Sequence, residues 1–296
     1  MASTKPPLTP QQGEPGTVAV TTPDREQAGG SYVAKQIDGV PKLRIDNLGV
    51  TYIDRRGIAT EAVREVTLDI ADKPGCGEII VFLGPSGCGK STILKAVAGL
   101  LPPSRGEILV DGKPVTDVGR DRGMVFQAYT SFSWLTVRDN VEYGLRLQGV
   151  PKAKRREESQ KYLEQVGLAD FADRYPKDLS GGMKQRVAIA RTLINKPKLV
   201  LMDEPFGALD PQTRWGMQSL LLDVSRNEDN TILFVTHDVS EAVYVADTVY
   251  VLAPRPTRIL HRVDVPFFES RGIHLKSSSE FRNVEKKLLD LIYSPS

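Results

Sequence analysis

EIIVFLGPSGCGKSTILKAVAGL, residues 78–100, decides the fold. EIIVFL is a continuous apolar run of strand length, and ILKAVAGL continues as a helix. The loop between them, GPSGCGKST (84–92), matches G-x-x-x-x-G-K-[ST] in the strand–loop–helix setting that pattern requires. Gly84, Gly87 and Gly89 let the backbone turn so that successive N–H groups point inward at phosphate oxygens, and the helix start adds its dipole. Lys90 can reach the β- and γ-phosphates and Ser91 can hold Mg²⁺. Pro85, Ser86, Cys88 and Thr92 complete the candidate nucleotide-binding loop. The bare pattern also describes a glycine-rich turn of no function, but its flanking strand and helix argue for nucleotide. Cys88 has two readings: a thiol activated by the positive helix start, or a small residue that fits the loop.

Downstream, KLVLMDEP (198–205) is an apolar strand ending in two carboxylates. Alone, such a pair is an ordinary turn. Behind a phosphate loop, Asp203 is placed to complete the Mg²⁺ shell and Glu204 to orient or deprotonate water. NTILFVTHD (230–238) and DTVYVLAP (247–254) read as further strands, with helical segments between them. Upstream, KLRIDNLGVTYI (42–53) and AVREVTLDI (62–70) read as half-buried strands, the second with Val63, Val66, Leu68 and Ile70 mostly alternating with polar residues. GEILVDGKPV (106–115) reads as a strand and a turn at Asp111-Gly112. From about 137 to 197 the period becomes helical, with a capping-box-like start at Thr136 and Asp139. The fold class is α/β, interrupted by a helical insertion.

Composition bounds the rest. The 296 residues carry a net charge of +2, so no large basic field points to nucleic acid. Cys76 and Cys88 make neither a metal-ligand spacing nor a disulfide framework, which suits a reducing compartment. The start, MASTKPPLTPQQGEPG, has no apolar core of a secretory signal. No apolar run approaches the roughly 20 residues of a membrane span, so the expectation is a protein soluble by itself. Residues 1–38, rich in Pro, Gly, Thr and Gln, read as a disordered tail. EFRNVEKKLLDLIYS (280–294) reads as a terminal helix.

LSGGMKQR (179–186) is a second anion-binding design, a Ser cap with exposed backbone N–H groups at a helix start. In order, GPSGCGKST, Gln127, LSGGMKQR, LMDEP, Asp210 and His237 resemble the ATP-binding-cassette (ABC) transporter ATPases. The resemblance covers about residues 42–260. It implies a P-loop NTPase (RecA-like) core with an antiparallel β subdomain and an inserted α-helical subdomain. It also implies that two nucleotide domains pair head to tail, each signature completing the partner's ATP site. Ser180, Gly181 and Gly182 would then bind a γ-phosphate held by the partner's loop. By the same resemblance Tyr52 stacks on adenine, Gln127 senses Mg²⁺ and the attacking water, Asp210 communicates across the dimer, and His237 contacts the γ-phosphate. Asp210, followed by Pro211, is also a good helix cap. The chain departs from the usual signature at Met183, where most members have Gln. Met there and the wording SFSWLTVRDNVEYGL and LMDEPFGALDPQTR look most like the nitrate, sulfonate, taurine and bicarbonate importers.

That resemblance implies an ATPase with ATP and Mg²⁺, a homodimer, membrane permease partners and an extracytoplasmic solute-binding protein. It places the chain peripherally at the cytoplasmic face of the inner membrane. Tyr129, Phe132, Trp134 and Leu135 would either anchor a permease helix or pack internally. Two other readings stand beside it: a soluble cassette ATPase acting on nucleic acid or ribosomes, and a regulator with a dead cassette. The first usually carries two cassettes or a long coiled coil. The intact Lys90, Asp203, Glu204 and His237 oppose the second. The expected organisation is a tail over 1–38, a nucleotide-binding domain over 39–261 with its helical insertion at about 128–197, and a C-terminal tail with a helix over 262–296.

Overall fold

The computed structural model describes residues 20–21, 39–73, 75, 77–226, 228–267, 271–272 and 274–293. Its centre is a sheet in the order β1 (Val20–Thr21), β11 (Ile259–Asp264), β10 (Thr248–Leu252), β4 (Glu78–Leu83), β9 (Thr231–Thr236), β8 (Leu199–Asp203), β7 (Arg122–Val125). From β10 to β7 every pairing is parallel. Strands β4, β8, β9 and β10 are buried at every residue. Their unbroken apolar runs follow from that, because helices cover both faces of a parallel sheet.

A second, antiparallel sheet runs β3 (Ala59–Ile70), β2 (Leu43–Ile53), β5 (Arg105–Val110), β6 (Lys113–Pro114). Val63, Val66, Leu68 and Ile70 are buried from β3 while Arg64 and Glu65 are exposed. The β5–β6 hairpin closes through Asp111 at φ 47° and Gly112 at φ 72°, the left-handed pair that a two-residue hairpin turn requires. Helix α1 (Lys90–Val97) lies between the two sheets, with Ile93, Leu94 and Val97 in the same apolar cluster as Leu43, Val66 and Phe82.

The helical insertion holds α2 (Val137–Val141), α3 (Tyr143–Leu147), α4 (Lys152–Gln165) and α5 (Gly181–Leu193). Thr136 caps α2, its Oγ1 accepting from the Asp139 N–H. Asn140, fully buried, bonds the Phe132, Leu135 and Thr136 carbonyls and accepts from the Phe132 N–H, fixing the 132–136 turn. The core then resumes through β8, α6 (Pro211–Arg226), β9 and α7 (Val239–Val245).

Two ends of the chain differ from the sequence reading. Val20–Thr21, inside the segment read as disordered, pair antiparallel with Val263 and Arg262; the rest of residues 1–38 lies outside the described residues. The boundary drawn at 261 falls inside β11, which continues the sheet to Asp264. Beyond it, α8 (Ser279–Tyr293) packs on α7 and β10 and buries Phe281, Val284 and Leu288 in the main core. A strand of mixed polarity, HRVD, carries no alternation strong enough to announce itself, and the docking of α8 is a long-range event. Leu288→Ala is expected to cost about 2–5 kcal/mol, read as a lower urea midpoint with an unchanged slope.

Candidate nucleotide site

The parallel strands deliver their C-terminal ends to one rim, and the phosphate loop follows β4 there. Gly89 sits at φ 129°, and a methyl on it would strike the Thr257 hydroxyl and the Ala62 carbonyl. Gly84 lies close under Leu252. So the loop is pressed between β10, β3 and the 255–258 turn, with room for no side chain at Gly89 and only a tight fit for one at Gly84. Thr257, fully buried, donates its hydroxyl to the Cys88 carbonyl and its N–H to the Ala62 carbonyl. No local sequence signal marks Thr257, because its partner is 169 residues away. Cys88 is buried at 2 % exposure within the apolar cluster around α1. The small-residue reading fits that placement.

Lys90, only 3 % exposed, turns its ammonium onto the Gly84 carbonyl at 2.9 Å and the Pro85 carbonyl at 2.8 Å. The Glu204 carboxylate is 3.7 Å away. A buried ammonium needs such partners. The loop backbone thus holds a cation at its own mouth, which suits an anionic ligand. Ser91 donates to Asp203 Oδ1 at 2.6 Å, bringing a hydroxyl and a buried carboxylate together across 112 residues. These are hard oxygen donors, and Mg²⁺ takes one or two such protein ligands with phosphates and waters completing its shell. The residues present therefore fit a Mg²⁺–nucleotide.

Glu204 follows β8 with φ 43°, a left-handed conformation uncommon for a side-chain-bearing residue. Its N–H is held by the Val235 carbonyl, and its Oε2 meets His237 Nδ1 at 3.1 Å. The carboxylate therefore bridges Lys90 and His237. Gln127 joins from the end of β7. A methyl on Gly207 would lie 3.7 Å from Gln127 Nε2 and 3.8 Å from Glu204 Oε2, so amide and carboxylate flank the same glycine. Tyr52, at the end of β2, bonds the Thr92 hydroxyl at 3.2 Å through its own and leaves its ring 41 % exposed beside the loop.

The signature forms a separate half. Ser180 caps α5, accepting from the Met183 N–H at 3.3 Å. The Met183 side chain packs on the core in place of a capping-box contact. Gly181 lies against the Tyr129 hydroxyl and Gly182 against Thr213, so a methyl at either would collide. Asp210 caps α6, accepting from the Thr213 N–H at 3.0 Å, and that bond holds its carboxyl below the usual range. Signature and Asp210 turn are thus neighbours. Among the described residues, no hydrogen bond joins Ser180, Gly181 or Gly182 to residues 84–92.

Residues 65–207 match the ABC transporter family. A putative ATP-binding protein of Brucella abortus is 50% identical over 255 residues, 86% of this chain and 94% of that protein. The nitrate import ATP-binding protein NrtD of Synechocystis is 48% identical over 256 residues, 84% of this chain and 94% of that protein. The chain belongs to the ABC transporter family. Its core superposes on the dimeric, post-hydrolysis ATP-binding cassette MJ0796 bound to ADP and Pi, with TM-score 0.62 and 31% identity over 74% of this chain and 98% of that one. As a family member the chain binds ATP and is an ATPase. Tyr52→Ala is expected to weaken ATP binding by about 1–3 kcal/mol, the worth of a base on an aromatic platform. Tyr52→Phe should lose about 1 kcal/mol or less. Equilibrium titration with a fluorescent ATP analogue separates the two.

Proposed function

We propose that this chain is the ATP-hydrolysing subunit of a bacterial importer for a small solute of the nitrate, sulfonate or taurine kind. The observation that carries the reading is the division of the site. One chain presents a complete phosphate loop with Lys90, Ser91, Asp203, Glu204, Gln127 and His237, and separately a capped helix start whose two glycines lie close against the Tyr129 and Thr213 side chains. A second copy, turned head to tail, brings each signature to the other's loop, an isologous contact with two sites.

In this reading the loop N–H groups and Lys90 hold the β- and γ-phosphates, and the partner copy's signature binds the γ-phosphate from the other side. Tyr52 carries the adenine. Ser91, Asp203 and Gln127 hold Mg²⁺, which supplies charge neutralisation at the phosphates when bound. Glu204 accepts a proton from the attacking water, and His237, bonded to Glu204, fixes that carboxylate and faces the γ-phosphate. Asp210, beside the signature, passes the state of one site to the other. ATP favours the closed pair, and losing the γ-phosphate releases it.

Coupling to a permease uses the groove between β7 and the helical insertion. A cavity of about 280 Å³ lies there, lined by Arg120, Met124, Phe132, Tyr143, Gln148 and Arg191 among others. Phe132 packs on Tyr143 at 4.7 Å and on Trp134 at 5.4 Å, and Trp134 is 72 % exposed at the rim. Aromatic and arginine side chains around a depression are the composition of a hot spot. Of the four anchors read from sequence, Tyr129 instead turns its hydroxyl to Gly181, and Leu135 is half-buried. No described helix is long and apolar enough to cross a membrane. In this reading, which the likeness to importer ATP-binding proteins supports, the chain works peripherally at the cytoplasmic face, beneath permease subunits fed by an extracytoplasmic binding protein.

Glu204→Gln should keep ATP binding, lower turnover by at least about 10²-fold, and run as a dimer in gel filtration with ATP and Mg²⁺. Ser180→Arg should abolish hydrolysis while its own loop still binds ATP; normal turnover there would remove the shared-site arrangement. A native pull-down from detergent-solubilised membranes should recover a polytopic permease in one-to-one ratio. Recovery with ribosomes or nucleic acid would discard transport.

A further inference from the structure

The turn that carries His237 is tied to the C-terminal segment by a buried chain of hydrogen bonds. Lys276 lies in a short 3-10 turn, Leu275–Ser277, just ahead of α8. Its Nζ donates to Gln218 Oε1 at 3.0 Å and sits over the rings of Tyr244, at 4.6 Å from the centroid, and Trp215, at 5.4 Å. Gln218, 2 % exposed on α6, donates Nε2 to Glu241 Oε1 at 3.0 Å. Glu241, 4 % exposed on α7, donates its N–H to Asp238 Oδ1 at 3.0 Å, and its carboxyl also bonds the Thr236 side chain. Asp238 closes the ring, its N–H donating to Thr236 Oγ1 at 3.0 Å. Thr236 and Asp238 flank His237 on either side, and both are held by Glu241. Glu241 also lines the small cavity that contains Glu204 and His237.

The order of donors makes the ammonium matter. A side-chain amide can sit in its pocket either way round. With Oε1 drawn to the Lys276 ammonium, Nε2 is turned to Glu241. Without that ammonium Oε1 loses its charged donor, and Glu241 alone is left to orient the amide, so the hold on the carboxyl is looser. Such a network is costly to hold inside a protein: burial lowers the Lys276 pKa and raises that of Glu241, against the pull of Asp238 and Glu285 on the lysine. A costly polar network is retained where it specifies one geometry.

We infer that Lys276 is a positioning residue for His237, acting through Gln218 and Glu241, so that the C-terminal segment is part of the hydrolytic apparatus. This rests on the role given to His237 above.

The test compares steady-state ATPase kinetics of the full chain with Lys276→Met, which keeps the apolar stem over the two rings and removes the charge. Expected is a fall in kcat of about three- to tenfold with the KM for ATP within about twofold. Lys276→Arg, which restores a donor and stacks on both rings, should recover most of the loss. The chain has three histidines, His237, His261 and His274, so ¹⁵N imidazole spectra resolve them. The His237 signal should move in Lys276→Met while that of His261 stays. Lys276→Leu serves the same readings where the Met variant does not accumulate. Leu288→Ala loosens the same segment without touching the ammonium and should keep its kcat below its melting range. An unchanged kcat or an unmoved His237 signal in Lys276→Met overturns the inference, as does an equal kcat loss in Leu288→Ala. His237→Ala separates the two levels. A dead His237→Ala beside a normal Lys276→Met sinks only the positioning role, whereas a fully active His237→Ala removes the catalytic role as well.

Discussion

A buried ammonium organises this protein. Lys90 is enclosed at the mouth of a loop whose carbonyls, together with Glu204, are its partners. Desolvating a cation there is costly unless every neighbour is correctly placed. Each placement has a structural origin. The Gly84 and Pro85 carbonyls are fixed by a loop that β10, Thr257 and Ala62 press from outside. Glu204 is fixed by its bond to Val235 on the neighbouring strand. The parallel register of β4, β9 and β8 brings loop, carboxylates and histidine to one end of the sheet. The same register carries Ser91 to Asp203.

The rest of the molecule supplies surfaces that this core cannot. Helix α5 presents the signature at its first turn, and from its last turn Arg191 grips the Thr130 carbonyl and hydroxyl while lying 5.0 Å over the Phe132 ring. The 129–132 stretch therefore touches α5 at both ends, with Tyr129 at Gly181 and Thr130 at Arg191. One helix thus joins the groove beside β7 to the glycines of the signature. The insertion is also held to the core by Tyr162, which donates to Glu228 at 3.0 Å. Burial of the ring, and after it the Glu228 carboxylate, push the phenol pKa up and keep it protonated.

The C-terminal segment belongs to the same economy of buried polar groups. Phe281, Val284 and Leu288 anchor α8 by apolar burial, which is non-directional. Lys276 adds direction, because an ammonium between two rings and an amide has few other places to sit. The result is a contact from beyond the last strand to the turn around His237.

The sequence alone determined what is local or periodic. GPSGCGKST sits between a strand and a helix, Thr136, Ser180 and Asp210 cap the helices that their residue types announce, and Asp111-Gly112 makes its turn. Asp238 and Glu241 form a D-x-x-E start that the sequence reading passed over, although its spacing was visible. Tertiary structure decided what depends on distant pairs. Thr257 over Cys88, Tyr129 against Gly181, β11 across residue 261 and Lys276 on Gln218 join residues whose individual neighbourhoods look ordinary. Backbone propensity and hydrophobic period act over a few residues, whereas a buried polar group is paired by whatever the packing of whole elements brings within 3 Å of it.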